Sequence, residues 1–279
     1  MTPEYLLISF LISLFSGLAG ALLGLGGGIF LVPLLVYILD IPLKLAAGAS
    51  ILAVIATSSA AAANYIDEDL TNMRLGMFLE IATTIGAVSG AFLAFAAGDR
   101  TLMILFGGSL LYSAFLMVIQ SFHKTAWIPK ENDGLAQRLK LNASYYDKAS
   151  REIVNYGVTK SHVTFALSYM AGIISGLLGI GGGAIKVPVM NVLSGVPMKA
   201  AVATSNFMVG VTAAASAMVY IRHGLCDAFV AGPVIFGTLI GASIGARVTN
   251  KIRGSTIKLL FTIVLVFIGL RMILTGLGF

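Results

Sequence analysis

Lys186 stands three positions after Gly183, inside a short apolar run. An ammonium at the centre of a membrane helix costs roughly 2.5–3.5 kcal/mol. Such a side chain therefore faces a cavity or a partner, where it can hold an anion or gate a path. The alternative is that its flexible stem carries the charge to the interface. Glu80, in another apolar run, is a candidate proton-coupling carboxylate, although its place near the start of that run predicts an interfacial position. Ser50 and the trio Thr204, Ser205 and Asn206 also interrupt apolar runs. Their hydroxyl and amide groups can donate to a small oxyanion, or they can form interhelical hydrogen bonds worth about 0.6 kcal/mol each.

Two glycine clusters adjoin these residues. Gly24-Leu25-Gly26-Gly27-Gly28 and Gly179-Ile180-Gly181-Gly182-Gly183 lie at the same place in two copies of one unit, because residues 17–50 recur without a gap as 172–205. Pro33, Pro42, Lys44 and Ser50 match Pro188, Pro197, Lys199 and Ser205, whereas Lys186 is matched by Leu31 and Glu80 by Ile235. Glycine weakens a helix, admits positive φ and leaves backbone N–H groups uncovered. A helix resuming after such a break presents unpaired N–H groups and the positive end of its dipole. Broken backbone at membrane depth is tolerated only where it is buried in protein or lines a watery cavity. Two related breaks thus make a candidate anion site at the midplane, contributed by Gly26, Gly27, Gly28, Gly181, Gly182 and Gly183. The alternative is a tight helical hairpin in which glycine serves packing alone.

The second cluster fits G-x-G-x-x-A, the dinucleotide fingerprint, but its context excludes that reading. The fingerprint needs a preceding strand and an acidic residue about 20 positions on. Here a membrane-length apolar run precedes, and no Asp or Glu occurs between Glu152 and Asp227. No nucleotide cofactor is indicated. His123, His162 and His223 are scattered, and a lone cysteine, Cys226, excludes an internal disulfide, so no metal site is expected either.

The elements that must carry these residues follow from composition. Of 279 residues, 58% are hydrophobic and 11% charged, against roughly 25% charged in soluble domains. The chain reads as an all-α polytopic membrane protein. Apolar runs fall near 5–22, 29–39, 45–64, 75–97 and 102–121, and again near 162–178, 184–194, 200–220, 228–249 and 256–276. The organisation is a first transmembrane repeat (1–121), a polar linker (122–161) and a second repeat (162–279), each repeat with about five helices. The linker holds seven of the eighteen Lys and Arg residues. With Trp127-Ile128-Pro129 and Tyr145-Tyr146, it is either a surface-lying segment or a mobile connection.

The runs at 29–39 and 184–194 are short, so they either cross as broken helices or re-enter. Crossing gives ten spans and inverted repeats; re-entry gives eight spans and parallel repeats. In the ten-span arrangement Arg74, the linker cations, Lys199, Arg247, Lys251, Arg253 and Lys258 share one side, with Lys44, Arg100, Arg222 and Arg271 opposite. The eight-span arrangement divides them about evenly. The positive-inside rule therefore predicts ten spans, a cytoplasmic linker and both termini outside. The same rule accounts for the net charge of +6 without nucleic acid. Gly86 with Gly90 and Gly241 with Gly245 form matched G-x-x-x-G pairs, the second extended by Gly237, which predict close helix packing.

The doubled G-x-G-G-G segment, with its following proline and P-x-K turn, resembles the TauE/SafE family of membrane permeases, also called sulfite exporters. The resemblance covers both halves and leaves the linker outside. It implies transport of sulfite, an organosulfonate or a related small anion across the cell (inner) membrane, by alternating access between the repeats. No enzymatic role is implied, and the expected partners are the anion and the bilayer, with any coupling proton or sodium ion left open. A passive anion channel and a carrier of another small carboxylate or oxyanion stay open as alternatives. Oligomeric state is not readable.

Overall fold

A computed structural model describes residues 3–122, 129, 131–148, 151–249 and 255–278. The first half folds as α1 (Pro3–Leu23), α2 (Gly28–Leu39), α3 (Leu43–Asp67), α4 (Met73–Ala96) and α5 (Asp99–Phe122). The second half repeats this order as α7 (Ser161–Leu178), α8 (Gly183–Pro188), α9 (Met198–Arg222), α10 (Ala228–Thr249) and α11 (Ser255–Leu277). The predicted runs match these helices closely. α8 continues into a π-helical turn over Val189–Leu193, following Pro188, which has no N–H to hold an α-helical bond. Six described helices are long and apolar enough to cross a membrane by length and composition. Their outer faces fit lipid: Met77, Ile81, Ile85 and Phe92 of α4, and Phe236, Ile240 and Ile244 of α10, are exposed.

Each repeat packs through the other. α1 lies along α10, and α7 lies along α4. The G-x-x-x-G pairs make both contacts, as their spacing predicts. A Cβ on Gly86 or Gly90 would strike the backbone of Tyr169 or Ile173, and one on Gly241 or Gly245 that of Leu14 or Leu18. Small residues let backbones approach where lipid gives no hydrophobic drive. In both pairs, contacts advance together along the two chains, so the helices are parallel.

The matched helices α3 and α9 run antiparallel instead: Gly48 meets Leu225, Val54 lies near the glycines that touch Val209, and Ser58 meets Gly210 and Asn206. α5 and α11 are antiparallel too, with Gly107 on Gly269 and Ile104 on Gly276. α2 ends where α11 ends, since the Tyr37 ring lies 4.6 Å from the Arg271 guanidinium carbon.

The described part of the linker is folded and docked rather than a mobile connection; Trp127 and Ile128 lie outside the described residues. A short helix, α6 (Gly134–Arg138), leads into an antiparallel hairpin of β1 (Ala143–Asp147) and β2 (Glu152–Tyr156). Asn72 fastens it to the bundle. Its side chain caps α4 by accepting from the Leu75 N–H at 3.0 Å, while Nδ2 donates to the Leu141 carbonyl at 2.8 Å and to the Tyr156 hydroxyl at 3.3 Å. Lys199 at the start of α9 reaches Asp147 at 2.6 Å, and Lys148 reaches Glu68 at 3.0 Å. At the linker's other edge Asp133 accepts from the Ser161 N–H at 2.6 Å and its hydroxyl at 3.0 Å. Apolar burial completes the dock: Leu141, Tyr145, Tyr156 and Val158 share a core cluster with Tyr65, Leu70 and Val202.

Candidate functional site

The two glycine segments cross at the centre of the molecule. Gly28 packs on Gly179 and Ile180, Gly183 packs on Gly24 and Leu25, and between them lie Gly26 and Gly181. A Cβ at either central glycine would sit 2.7 Å from a Val209 methyl, with Val54 close behind. Both glycines hold positive φ, 75° and 78°, which side chains adopt only with strain. Val54 and Val209 are themselves repeat mates, fully buried, so the crossing point is a glycine pair closed by a valine pair.

The breaks leave helix-end carbonyls that need donors. Ser50 donates to Gly179 O at 2.9 Å, and its mate Ser205 donates to Gly24 O at 2.9 Å. Tyr65 donates to Ala21 O at 3.1 Å, and its mate Tyr220 to Gly176 O at 3.2 Å. Each hydroxyl has one proton, and in this conformation the serines give theirs to the opposite repeat. Thr204 Oγ1 accepts from the Asn72 N–H at 3.0 Å. Asn206 Nδ2 donates to Ala21 O and Val202 O, while its Oδ1 is buried without a partner among the described residues. At the start of α2, Phe30 and Leu31 N–H groups bond to Gly27 O; the amides of Gly28 and Ile29, ahead of them, have no acceptor within their own helix.

Beside this crossing lies a buried charge cluster. Lys186 is 1% exposed and Glu80 7%. Lys186 Nζ donates to Thr212 Oγ1 at 2.8 Å and lies 3.9 Å from Glu80 Oε2. The carboxylate accepts from Thr83 at 2.8 Å, Thr84 at 3.0 Å and Thr212 at 2.7 Å. One expectation is corrected here. Glu80 is buried between helices, where the turns of α4 around it pack on α7 and α9. The Lys186 stem does not carry its charge out to the interface: Nζ is buried on Thr212. It folds back along its helix, as helical side chains do, and its Cε lies 3.5 Å from where a Cβ on Gly182 would be. The lysine stem therefore packs against the glycine break.

The matched position in the first repeat has no charge. Leu31 and Ile235 replace Lys186 and Glu80, and Thr57 and Thr238 hydrogen-bond to main-chain carbonyls, Thr238 at 2.9 Å and Thr57 at 3.0 Å. Sequence reasoning missed Thr83, Thr84 and Thr212, which carry no signal among many membrane threonines. The pairing of Glu80 with Lys186 did have one: lone charges inside membrane helices usually pair with one another.

A narrow crevice opens at the end opposite the hairpin, lined by Leu43, Lys44, Ala47, Phe106, Leu178 and Tyr220 among others. Its inner wall reaches the break, since the Ala47 carbonyl lies 2.7 Å from a Cβ built on Gly179. Lys44 pairs loosely with Asp99 at 3.7 Å. Its repeat mate, Lys199, is covered at the other end by Asp147 of the hairpin.

Sequence comparison relates the chain to membrane transporter proteins. The chain is similar to the Bacillus subtilis probable membrane transporter protein YunE, with 28% identity over 95% of this chain and 96% of that protein. It is 22% identical to the probable membrane transporter protein MJ0441 of Methanocaldococcus jannaschii, over 98% and 96% of the two chains. A shorter stretch, 31% of this chain and 19% of the other, is 33% identical to the sulfite exporter TauE/SafE family protein 5 of Arabidopsis thaliana. No solved structure matches the chain significantly. The family profile described as "Sulfite exporter TauE/SafE" matches residues 9–272, and the chain accordingly belongs to the TauE/SafE family of membrane transporters.

Proposed function

We propose that this transporter carries a small sulfur-containing oxyanion, sulfite or an organosulfonate, by alternating access, and that Lys186 is the charge that holds it. The observation that carries the reading is the state of the Lys186 ammonium. It is buried against the glycine crossing, has three N–H donors, and makes one direct hydrogen bond, to Thr212, among the described residues. Its counter-charge Glu80 accepts three hydroxyls. The carboxylate is satisfied and the ammonium is not, so the ammonium is the member that seeks a ligand. The glycine segments supply backbone amides, and Ser50, Ser205 and Asn206 line the breaks with groups that can change partners when the repeats move, while Thr204 faces Asn72.

Antiparallel packing of α3 on α9 and of α5 on α11 supports inverted repeats, because matched helices that run in opposite directions are related by an axis in the membrane plane. The return of α2 to the end where α11 finishes supports ten spans. Charge distribution then orients the linker to the cytoplasm and both termini outside. The valine closure at the crossing favours a carrier over an open pore. Any charge left uncompensated on the substrate is driven outward by the membrane potential, about 2.3 kcal/mol per charge per 100 mV, which favours export.

The test is flux in proteoliposomes with sulfite, sulfoacetate, thiosulfate and a small carboxylate. A charge-assisted hydrogen bond contributes about 1.5–3 kcal/mol, so Lys186→Ala is expected to slow the preferred anion about tenfold or more. Unchanged transport removes Lys186 from the site. Acceleration by unlabelled anion on the far side is expected of a carrier and not of a channel.

A further inference from the structure

The Glu80–Thr212–Lys186 cluster joins the two repeats, since Glu80 is on α4 of the first and Lys186 and Thr212 are on α8 and α9 of the second. Resting on the reading of Lys186 as the anion's anchor, we infer that Glu80 takes up one proton from solution when the anion binds, so that a monovalent oxyanion and a proton cross together.

Charge balance in a buried space carries the inference. With Lys186 protonated and Glu80 ionised, the cluster is neutral. An arriving monoanion would leave it with a net negative charge away from water, which costs several kcal/mol even after relaxation. A proton on a Glu80 oxygen restores neutrality, while Lys186 keeps its own proton and pairs with the anion. No covalent bond between heavy atoms forms or breaks.

The surroundings of Glu80 suit both of its forms. Thr83, Thr84 and Thr212 are hydroxyls, which donate to a carboxylate and, after rotation, accept from a carboxylic acid. The ion pair is loose at 3.9 Å with the Thr212 hydroxyl between, so the ammonium can turn to a new partner without breaking a direct bond to the carboxylate. Of the elements packed on α4, α7 brings the titratable groups His162 and Tyr169, and α9 brings Lys199, Tyr220 and Arg222. From α8 comes Lys186, the one charged group within ion-pair distance of Glu80 among the described residues. The matched Leu31 and Ile235 offer no such pair, so one cluster serves the whole protein and one proton accompanies one anion. For a monoanion this movement is electroneutral: the anion and pH gradients, not the membrane potential, set its direction. A dianion keeps one charge subject to the potential.

The experiment uses methanesulfonate, which carries no proton of its own near neutral pH. In weakly buffered proteoliposomes with an entrapped pH dye, the wild type is expected to move one proton per sulfonate and to ignore a potassium-valinomycin potential. Glu80→Gln, whatever its rate, is expected to move sulfonate with no proton and to respond to that potential. In detergent, binding to the wild type should take up one proton per anion, read by indicator dye. The double variant Lys186→Leu/Glu80→Ile copies the matched residues, should remain folded, and should take up none. Wild-type flux or binding without proton uptake, or proton movement by Glu80→Gln, overturns the coupling and leaves the transporter reading standing. A folded wild type that neither binds nor moves any sulfonate overturns the substrate reading and the coupling with it.

Discussion

The Ser50 hydroxyl on α3 donates to the Gly179 carbonyl at 2.9 Å, closing the end of a helix that belongs to the other repeat. Its mate Ser205 does the same for Gly24 at 2.9 Å. The two bonds tie each half to the break in the other. Losing either donor leaves a buried carbonyl unsatisfied, at a cost of about 1–3 kcal/mol. Ser50→Ala and Ser205→Ala are each expected to lower the thermal midpoint in detergent by a similar amount. A fall for one and none for the other would show that the two ties are not equivalent.

Gly26 and Gly181 admit no side chain. Alanine at either place combines a left-handed backbone, roughly 1–2 kcal/mol, with overpacking against Val209 of about 1–3 kcal/mol. Val209→Ala removes the second cost and not the first. Gly26→Ala is therefore expected to destabilise strongly, and Gly26→Ala/Val209→Ala to recover part of the loss when the single and double variants are compared with Val209→Ala as reference. Full recovery would mean that the backbone conformation carries no cost.

How far this was legible in the chain differs by feature. Helix positions followed from apolar runs, and the meeting of the two breaks followed from their matched sequence, because a repeat places its copies in equivalent environments. Tyr65 and Tyr220 were visible as matched residues, yet their carbonyl partners Ala21 and Gly176 lie 44 positions away in each case, a distance no periodicity spans. The burial of Glu80 was hidden for a related reason: it is decided by α7 and α9 packed across its helix, not by its place in its own run. The linker was read from polarity and a few aromatic residues, and its Asp133 and Asp147 proved to be anchors, while Asn72 and Lys199 hold it from the bundle.

Asn72 is the most connected of those anchors. Asn72→Ala removes a helix cap, typically worth about 0.5–2 kcal/mol, and two bonds to the hairpin. The hairpin is expected to loosen while the bundle stays folded. Limited trypsin digestion should then cut at Lys140, Lys148 or Arg151 several-fold faster than in the wild type. Equal cutting rates would show that Lys199–Asp147 and the apolar dock suffice without Asn72.

Docking of the linker also has a pH window. Burial opposes ionisation of Asp133, but hydrogen bonds from the Ala136 N–H and from the Ser161 N–H and hydroxyl, with His162 nearby, outweigh it and hold the carboxyl below its ordinary value. A carboxyl lowered in the fold stabilises fully above its unfolded value, near 3.9, and loses this as pH falls through the lower folded value. Tyr145 and Tyr156 behave oppositely. Burial pushes both phenols up to about 12, helped at Tyr145 by Asp147 and partly offset at Tyr156 by Asn72. Their contribution is complete below the unfolded value near 10 and is lost as pH rises through about 12. Trypsin-accessible sites can be followed across the neutral range, where exposure is expected to be flat from about pH 6 to 9. Asp133→Asn should raise exposure throughout that range, since the ionised acceptor is gone.

Cys226 tests the orientation. It lies in the turn between α9 and α10, half-buried, with its sulfur 3.8 Å from the Gly48 carbonyl. Burial raises the thiol above its ordinary value, so the reactive thiolate is scarce at neutral pH and labelling is expected to quicken as pH rises from 7 to 9. The turn sits at the crevice end, opposite the hairpin, and the proposed topology places that end outside. A membrane-impermeant maleimide should therefore label Cys226 in intact cells, and Cys226→Ser should abolish the signal. Labelling that appears only after the membrane is opened would invert the topology, placing the crevice at Lys44 inside the cell and the hairpin over Lys199 outside.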